Sequence, residues 1–237
     1  RHKEEQLTAI KRDESALHGD LAEHSSDEAV RTKAADYMGL MTPVLKAYLT
    51  DKGFLIASDA MQVHGGSGFT EHFPASQYLR DCRIALIYEG TNGIQALDLV
   101  GRKLAANGGR AVMSFFAEVD AFVEENAADA AMKPFLDGLA SAKAQLQDGT
   151  MWLMQNGLQN PDNAGAASTD YMHLFGITGL PYMWALMAKV SLAKIAAGDT
   201  DPFYASKLSV GQYFLERILP DTGAHLTKMK AGSANMM

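Results

Sequence analysis

The stretch "SSDEAVRTKAADYMGLMTPVLKAYLTDKGFLIASDAMQV", residues 25–63, decides the fold. Its apolar residues Val30, Ala34, Tyr37, Met38, Met41, Val44, Leu45, Tyr48, Leu55, Ile56, Ala60 and Val63 recur at steps of three and four. That spacing places side chains on one face of a helix and predicts burial of the face. Ser25-Ser26-Asp27-Glu28 has the form of a capping box, in which Ser25 satisfies the Glu28 amide and the glutamate reaches back. A helix is therefore expected to start there. Pro43 is expected to bend it, because proline lacks a backbone donor and crowds the preceding turn. Gly65-Gly66 supplies the positive-φ stop.

Helical spacing continues on either side. Residues 1–23 read as helix, 67–73 (SGFTEHF) as a loop, and Pro74 as the opening of a short helix through Arg83. Thr91 reads as the N-cap of a further helix carrying Ile94, Leu97, Leu99, Val100 and Leu104. "AANGGR" at 105–110 marks a boundary, and beyond it 111–126, 134–157, 168–197 and 202–219 all carry helical periods. No segment alternates as a strand would. The expected fold is all-α, with antiparallel helices in one bundle over 1–105 and a second helical domain over 106–237.

Composition excludes several functions. The net charge of −7 is spread over two halves, neither of them basic, which argues against nucleic acid as a partner. Cys82 is the only cysteine, so an intrachain disulfide is excluded; it reads as a small core residue. The most lipid-like run, Leu174 to Ala188, is shorter than the roughly 20 residues a membrane span needs and reads as a buried core helix. His18 and His24, or His64 and His72, match no usual zinc spacing, so no metal site is expected and the histidines read as structural or solvent-facing. "HGGSGFT" fails as a dinucleotide fingerprint, because Glu71 stands where the third glycine belongs and no strand precedes it.

Glu89 is the carboxylate that invites chemistry. It follows the apolar run Ile84 to Tyr88 and precedes Gly90-Thr91. Desolvation by that run would raise its proton affinity, while the amides opening the Thr91 helix would favour the anion. Such a group suits a general base. A loop glutamate that merely caps the next helix is the other reading of the same residues.

Three motifs in register now matter together: "DAMQVHGGSGF" at 59–69, "RDCRI" at 80–84 and "IYEGTNGIQ" at 87–95. They resemble the C-terminal helical domain of acyl-CoA dehydrogenases. "KAYLTDKGF" at 46–54, "ALDLVGRKL" at 96–104 and "STDYMHLFG" at 168–176 resemble the 3-methylmercaptopropionyl-CoA dehydrogenase-like subgroup. The resemblance implies a flavin enzyme that converts an acyl-CoA to the 2,3-enoyl-CoA, with Glu89 removing the α proton while a hydride leaves Cβ for FAD. It implies a dry slot around Glu89, with the Glu89 amide donating to the thioester carbonyl and Tyr88 and Gly90 lining the pocket. Gln62, Val63, His64, Gly65 and Gly66 would hold the FAD of a neighbouring subunit; Thr91, Asn92, Gly93 and Gln95 would touch another FAD. Gly93 departs from the family pattern, which often has a bulkier polar residue there. A homodimer or homotetramer, an electron-transfer flavoprotein as acceptor and a cytoplasmic setting are implied with it.

The family's N-terminal helical and middle β domains have no counterpart in these residues. The expectation is therefore a C-terminal fragment that binds FAD weakly alone. The 106–237 tail is expected to pack on the catalytic bundle or a neighbouring subunit and to help shape the thioester entrance. A non-catalytic helical module and an acyl-CoA oxidase are the alternatives, and methylthiopropionyl, butyryl and longer acyl groups all stay open.

Overall fold

In the computed structural model, which describes residues 18–236, all regular structure is helical and no strand occurs among the described residues. Residues 18–24 form a short helical segment, and the rest of the helix expected over 1–23 lies outside the described residues. Helix α1, Glu28–Val63, is 36 residues long and contains Pro43 on its buried side. Its N-cap is Asp27 rather than Ser25: the Asp27 carboxylate accepts from the amides of Ala29 and Val30. Ser25 instead accepts from the Asp27 amide at 3.2 Å, which holds the capping residue. A carboxylate two residues nearer the first free amides outcompetes the hydroxyl.

The helix stops where the glycines are. Gly65 has φ +60°, and Gly66–Phe69 forms one helical turn where a loop was expected. Gly68 closes that turn onto α1; a Cβ there would meet the Met61 carbonyl oxygen at 2.5 Å and His64 Cβ at 2.7 Å. Helix α2 is Ala75–Ile84, and α3, Asn92–Asp98, is capped by Thr91 as its sequence implies and runs into a π-helical segment, Leu99–Lys103. Asn107, Gly108 and Gly109, all at positive φ, then turn the chain into α4, Arg110–Asn126.

The remaining helices are α5 (Lys133–Asn156), α6 (Pro161–Ala196), α7 (Pro202–Arg217) and α8 (Asp221–Lys230). The α6 helix begins seven residues before the expected start, because Asn160 caps it and Pro161 takes its first position. It is the organising element, packing against α1, α3, α5, α7 and α8. Leu174, Phe175 and Ile177 are fully buried, as expected of the Leu174–Ala188 run. No helix of the described residues is long and apolar enough to cross a membrane.

Periodicity overstated the burial. Ala34, Leu40, Met41, Val44, Ala47 and Tyr48 of α1 are buried, whereas Leu55, Ile56 and Val63 are exposed, Val63 by 87%. Ile94 and Leu97 are also exposed, and Cys82 is only half-buried. The physical reason is coverage: α1 packs against α2, α3, α4 and α6, but its buried residues run only from Ala34 to Tyr48 and its last turns stay uncovered on the apolar side.

Where α1 meets α6, Tyr48 packs directly against Gly176. A Cβ at 176 would fall 2.3 Å from Tyr48 Cγ, so only glycine allows this crossing.

Candidate active site

Glu89 sits in the short connection between α2 and α3, and its backbone is unusual. It has φ +55°, followed by Gly90 at φ +82°. Among the described residues only Asn107 is another non-glycine at positive φ. Such a conformation costs about 1–3 kcal/mol and persists where surrounding contacts over-determine it. Here both carbonyls of the turn are held: Gln95 Nε2 donates to the Glu89 oxygen at 2.8 Å, and Lys46 Nζ donates to the Gly90 oxygen at 2.8 Å. The Asn92 amide closes the connection by donating to the Leu86 oxygen at 3.3 Å.

The capping role falls to another residue. Thr91 Oγ1 accepts from the Ile94 amide at 3.4 Å, and the Glu89 carboxylate has no hydrogen-bond or ion-pair partner among the described residues. The Glu89 amide likewise donates to no described atom. A free carboxylate and a free amide thus stand on one strained residue.

The expected dry slot is not formed by these helices. Glu89 and Gly90 are exposed, and Ile84, Ile87 and Tyr88 are about half exposed. The apolar run lines an open surface because the connection is short and points its side chains away from the core.

Asn92 behaves differently from its neighbours. It is 9% exposed, and its side chain turns inward. Its Nδ2 donates to Asp51 Oδ1 at 2.7 Å, Thr50 Oγ1 at 2.9 Å and the Ala47 oxygen at 3.2 Å, and its Oδ1 accepts from Lys46 Nζ at 2.7 Å. Thr91 and Gly93 are exposed, and nothing lies within 4 Å of where a Gly93 Cβ would be.

The second expected set lies elsewhere. Gln62, Val63, His64, Gly65 and Gly66 are all exposed at the end of α1, and no atom lies within 4 Å of a Cβ built on Gly65 or Gly66. His64 stacks on Phe73 with ring centroids 6.5 Å apart. Along α1, Gln62 lies about 24 Å from Lys46 at 1.5 Å rise per residue, so the structure keeps this set apart from the Glu89 turn.

Four residues that the sequence reading left as structural or unassigned gather beside Asn92. Asp51 Oδ2 lies 3.2 Å from His173 Nε2. The His173 ring stacks on His225, with centroids 5.3 Å apart and planes 8° from parallel, and His225 Nδ1 is 2.7 Å from Asp170 Oδ1. Burial pushes the His173 pKa below 6.5 and outweighs the attraction of Asp51, with His225 and Lys52 pushing the same way. Partners 41 and 55 residues apart leave no local signature, so only the fold reveals the cluster. No group of three or more His, Cys, Asp or Glu side chains placed to hold a metal ion occurs among the described residues. An open, charged cleft lined by Glu28, Lys33, Asp36 and Arg110 contains none of these residues.

Comparison with known proteins adds the context. Residues 20–104 match the family model described as acyl-CoA dehydrogenase, C-terminal domain, and residues 115–237 match acetyl-CoA dehydrogenase C-terminal like. The chain is 34% identical over 212 residues to a 3-methylmercaptopropionyl-CoA dehydrogenase of Ruegeria pomeroyi, covering 89% of this chain and 36% of that protein. It is 29% identical to a broad-specificity linear acyl-CoA dehydrogenase of Mycobacterium tuberculosis, covering 83% and 33%. Against a butyryl-CoA dehydrogenase of Syntrophomonas wolfei the identity is 28%, covering 91% and 36%. The chain thus spans about a third of the length of these relatives.

Proposed function

The chain belongs to the acyl-CoA dehydrogenase family, and from that premise we propose that it is the C-terminal helical part of an FAD-dependent enzyme that desaturates an acyl-CoA thioester between Cα and Cβ, with Glu89 as the base. The observation that carries this is the strained, tethered backbone at Glu89, which bears a carboxylate and an amide that the fold leaves unused. A glutamate serving only as a cap needs no such conformation, and the cap is already supplied by Thr91.

In this reading the Glu89 carboxylate takes the proton from Cα, and the electron pair left behind spreads onto the thioester oxygen. The Glu89 amide donates to that oxygen as its charge grows, which is where a preorganised donor contributes most. Tyr88 and Gly90 flank the acyl chain.

The residues present suit FAD. Gly65 and Gly66 offer backbone that no side chain obstructs, and the first amides of the Gly66–Phe69 turn have no intrahelical partner. Gln62, Val63 and His64 would hold one flavin; Thr91, Gly93 and Gln95 would touch another. Asn92 would contribute through its backbone, since its side chain is committed to α1. FAD, when bound, supplies the acceptor for the hydride leaving Cβ. The separation of the two sets along α1 supports a homodimer or homotetramer in which each flavin touches two subunits. Division of the chain at 105/106 into a base-bearing unit and an additional helical unit, reoxidation by an electron-transfer flavoprotein, and a cytoplasmic setting belong to the same proposal.

The test uses the full-length protein with bound FAD, mixed without oxygen with 3-methylthiopropionyl-CoA or butyryl-CoA. Wild type is expected to bleach the flavin and form the enoyl-CoA, while Glu89→Gln binds the thioester and bleaches about 10²–10⁴-fold more slowly. Bleaching at the wild-type rate by Glu89→Gln would remove the base assignment. Peroxide formation on readmitting air, in place of electron delivery to the carrier flavoprotein, would identify an oxidase.

A further inference from the structure

We propose that the tail helix α6 positions the base-bearing turn through a side-chain relay in which His173 fixes Asp51, Asp51 fixes Asn92, and Asn92 with Lys46 fixes the Gly90 carbonyl beside Glu89. The proposal rests on the assignment of Glu89 as the base and gives that site a positioning apparatus.

The links are direct. Lys46 Nζ bridges the Gly90 oxygen and Asn92 Oδ1, at 2.8 and 2.7 Å. Asn92 spends its amide on α1, with its shortest such contact, 2.7 Å, to Asp51 Oδ1. The other carboxylate oxygen of Asp51 faces His173 Nε2 at 3.2 Å. A carboxylate engaged on both oxygens by groups from α3 and α6 has little freedom to rotate.

The far end of the relay is itself immobilised. His173 is stacked face to face on His225, and Tyr48 meets it edge-on with centroids 5.8 Å apart. Tyr48 is wedged against Gly176, one turn along α6 from His173. His225, on the last helix, is anchored by Asp170. The charged and titratable groups around His173 are therefore Asp51, Lys52 and Tyr48 of α1, Asp170 of α6 and His225 of α8.

Simple helix-to-helix adhesion does not account for this arrangement. Burying amide, carboxylate and imidazole groups side by side is costly unless each is satisfied, and apolar residues would join the same helices at less expense. What polar groups add is direction. The chain of contacts ends on the carbonyl next to the residue held at φ +55°, where a displacement of about 1 Å would misalign a carboxylate with a C–H bond and cost about a hundredfold in rate.

The experiment uses full-length protein with bound FAD and the variants Asp51→Asn, His173→Leu, His173→Gln and Glu89→Gln. Amide hydrogen exchange is followed over the 84–93 connection, flavin reduction is followed with butyryl-CoA, and binding is measured with 3-thiabutyryl-CoA, whose sulfur at the β position carries no hydride. Asp51→Asn and His173→Leu are expected to speed exchange of the connection and to slow flavin reduction tenfold to a hundredfold. Affinity for the thia analogue should change less than threefold. His173→Gln, which keeps a donor toward Asp51, should recover most of both effects and keeps the test in a folded protein.

Unchanged exchange over 84–93 in Asp51→Asn and His173→Leu overturns the relay, whatever happens to the rate. Faster exchange with unchanged reduction also overturns it, leaving a purely structural anchor. Wild-type bleaching by Glu89→Gln removes the base assignment instead, and the exchange data then decide alone whether α6 holds the turn.

Discussion

Gly176→Ala isolates the contact on which the packing of α6 against α1 depends. The added methyl carbon would stand 2.3 Å from Tyr48 Cγ, 2.5 Å from Cδ2 and 2.8 Å from Tyr48 Cβ. Rotating the ring cannot relieve the last of these, because Cβ is fixed to the backbone of α1, so the two helices must separate. Overpacking of this kind costs up to about 3 kcal/mol. Alanine recovers about 1 kcal/mol of helix propensity over glycine, which leaves a net loss of about 2 kcal/mol. For a chain of this size that corresponds to a midpoint lower by roughly 4–8 °C in thermal unfolding followed by far-UV circular dichroism. Tyr48→Gly removes the ring and the Cβ together, so in that background the same substitution should become stabilising by up to about 1 kcal/mol. A coupling of about 3 kcal/mol across the cycle is the expected result. Equal effects of Gly176→Ala in both backgrounds would refute the proposed close crossing.

Two further outcomes follow from the site. His173 binds its proton less readily in the fold than in an unfolded chain, since burial lowers its pKa from 6.5; the unfolded state therefore takes up more protons below that value, and stability falls as pH drops through the window beneath 6.5. Wild type should lose thermal stability between pH 7 and pH 5 more steeply than His173→Gln, and parallel profiles would exclude His173 as a source of the pH dependence. Glu89→Asn, which places a residue tolerant of the left-handed region at φ +55°, should raise stability by up to about 1 kcal/mol while abolishing flavin bleaching. A fall in the unfolding midpoint would show that the Glu89 side chain stabilises the turn.

Local chemistry made much of this architecture readable. The three- and four-residue spacing in α1, the Thr91 cap and the Gly65 stop each depend on neighbours within one or two turns, and each is present in the structure. Asn160-Pro161 was equally legible as a helix start, but the polar and small residues that follow carry no apolar period and masked it. Helix α8 escaped for a similar reason, with Leu226 and Met229 as its only large apolar residues. Periodicity also identifies which face of a helix is apolar without saying what covers it, and Leu55, Ile56 and Ile94 remain exposed for that reason. Glu89 stood out through its neighbours, yet Lys46, Asp51 and His173 could not, because their relation to the turn exists only once α1, α3 and α6 are packed.

Orienting the turn that carries Glu89 and drying its surface are separate physical tasks. The tethers on Glu89 and Gly90 come from Gln95 and Lys46, so orientation of the turn is built within this chain. Drying requires apolar surface on every side, and Ile84, Ile87, Tyr88 and Ile94 present their share of it half open. Under the proposed function, whatever covers these four side chains supplies the dry surface, while the relay sets the direction of the carboxylate. Weakening the relay would then slow flavin reduction. Both tethers on the turn are made within this chain, so the φ of +55° is held at a residue that faces open surface.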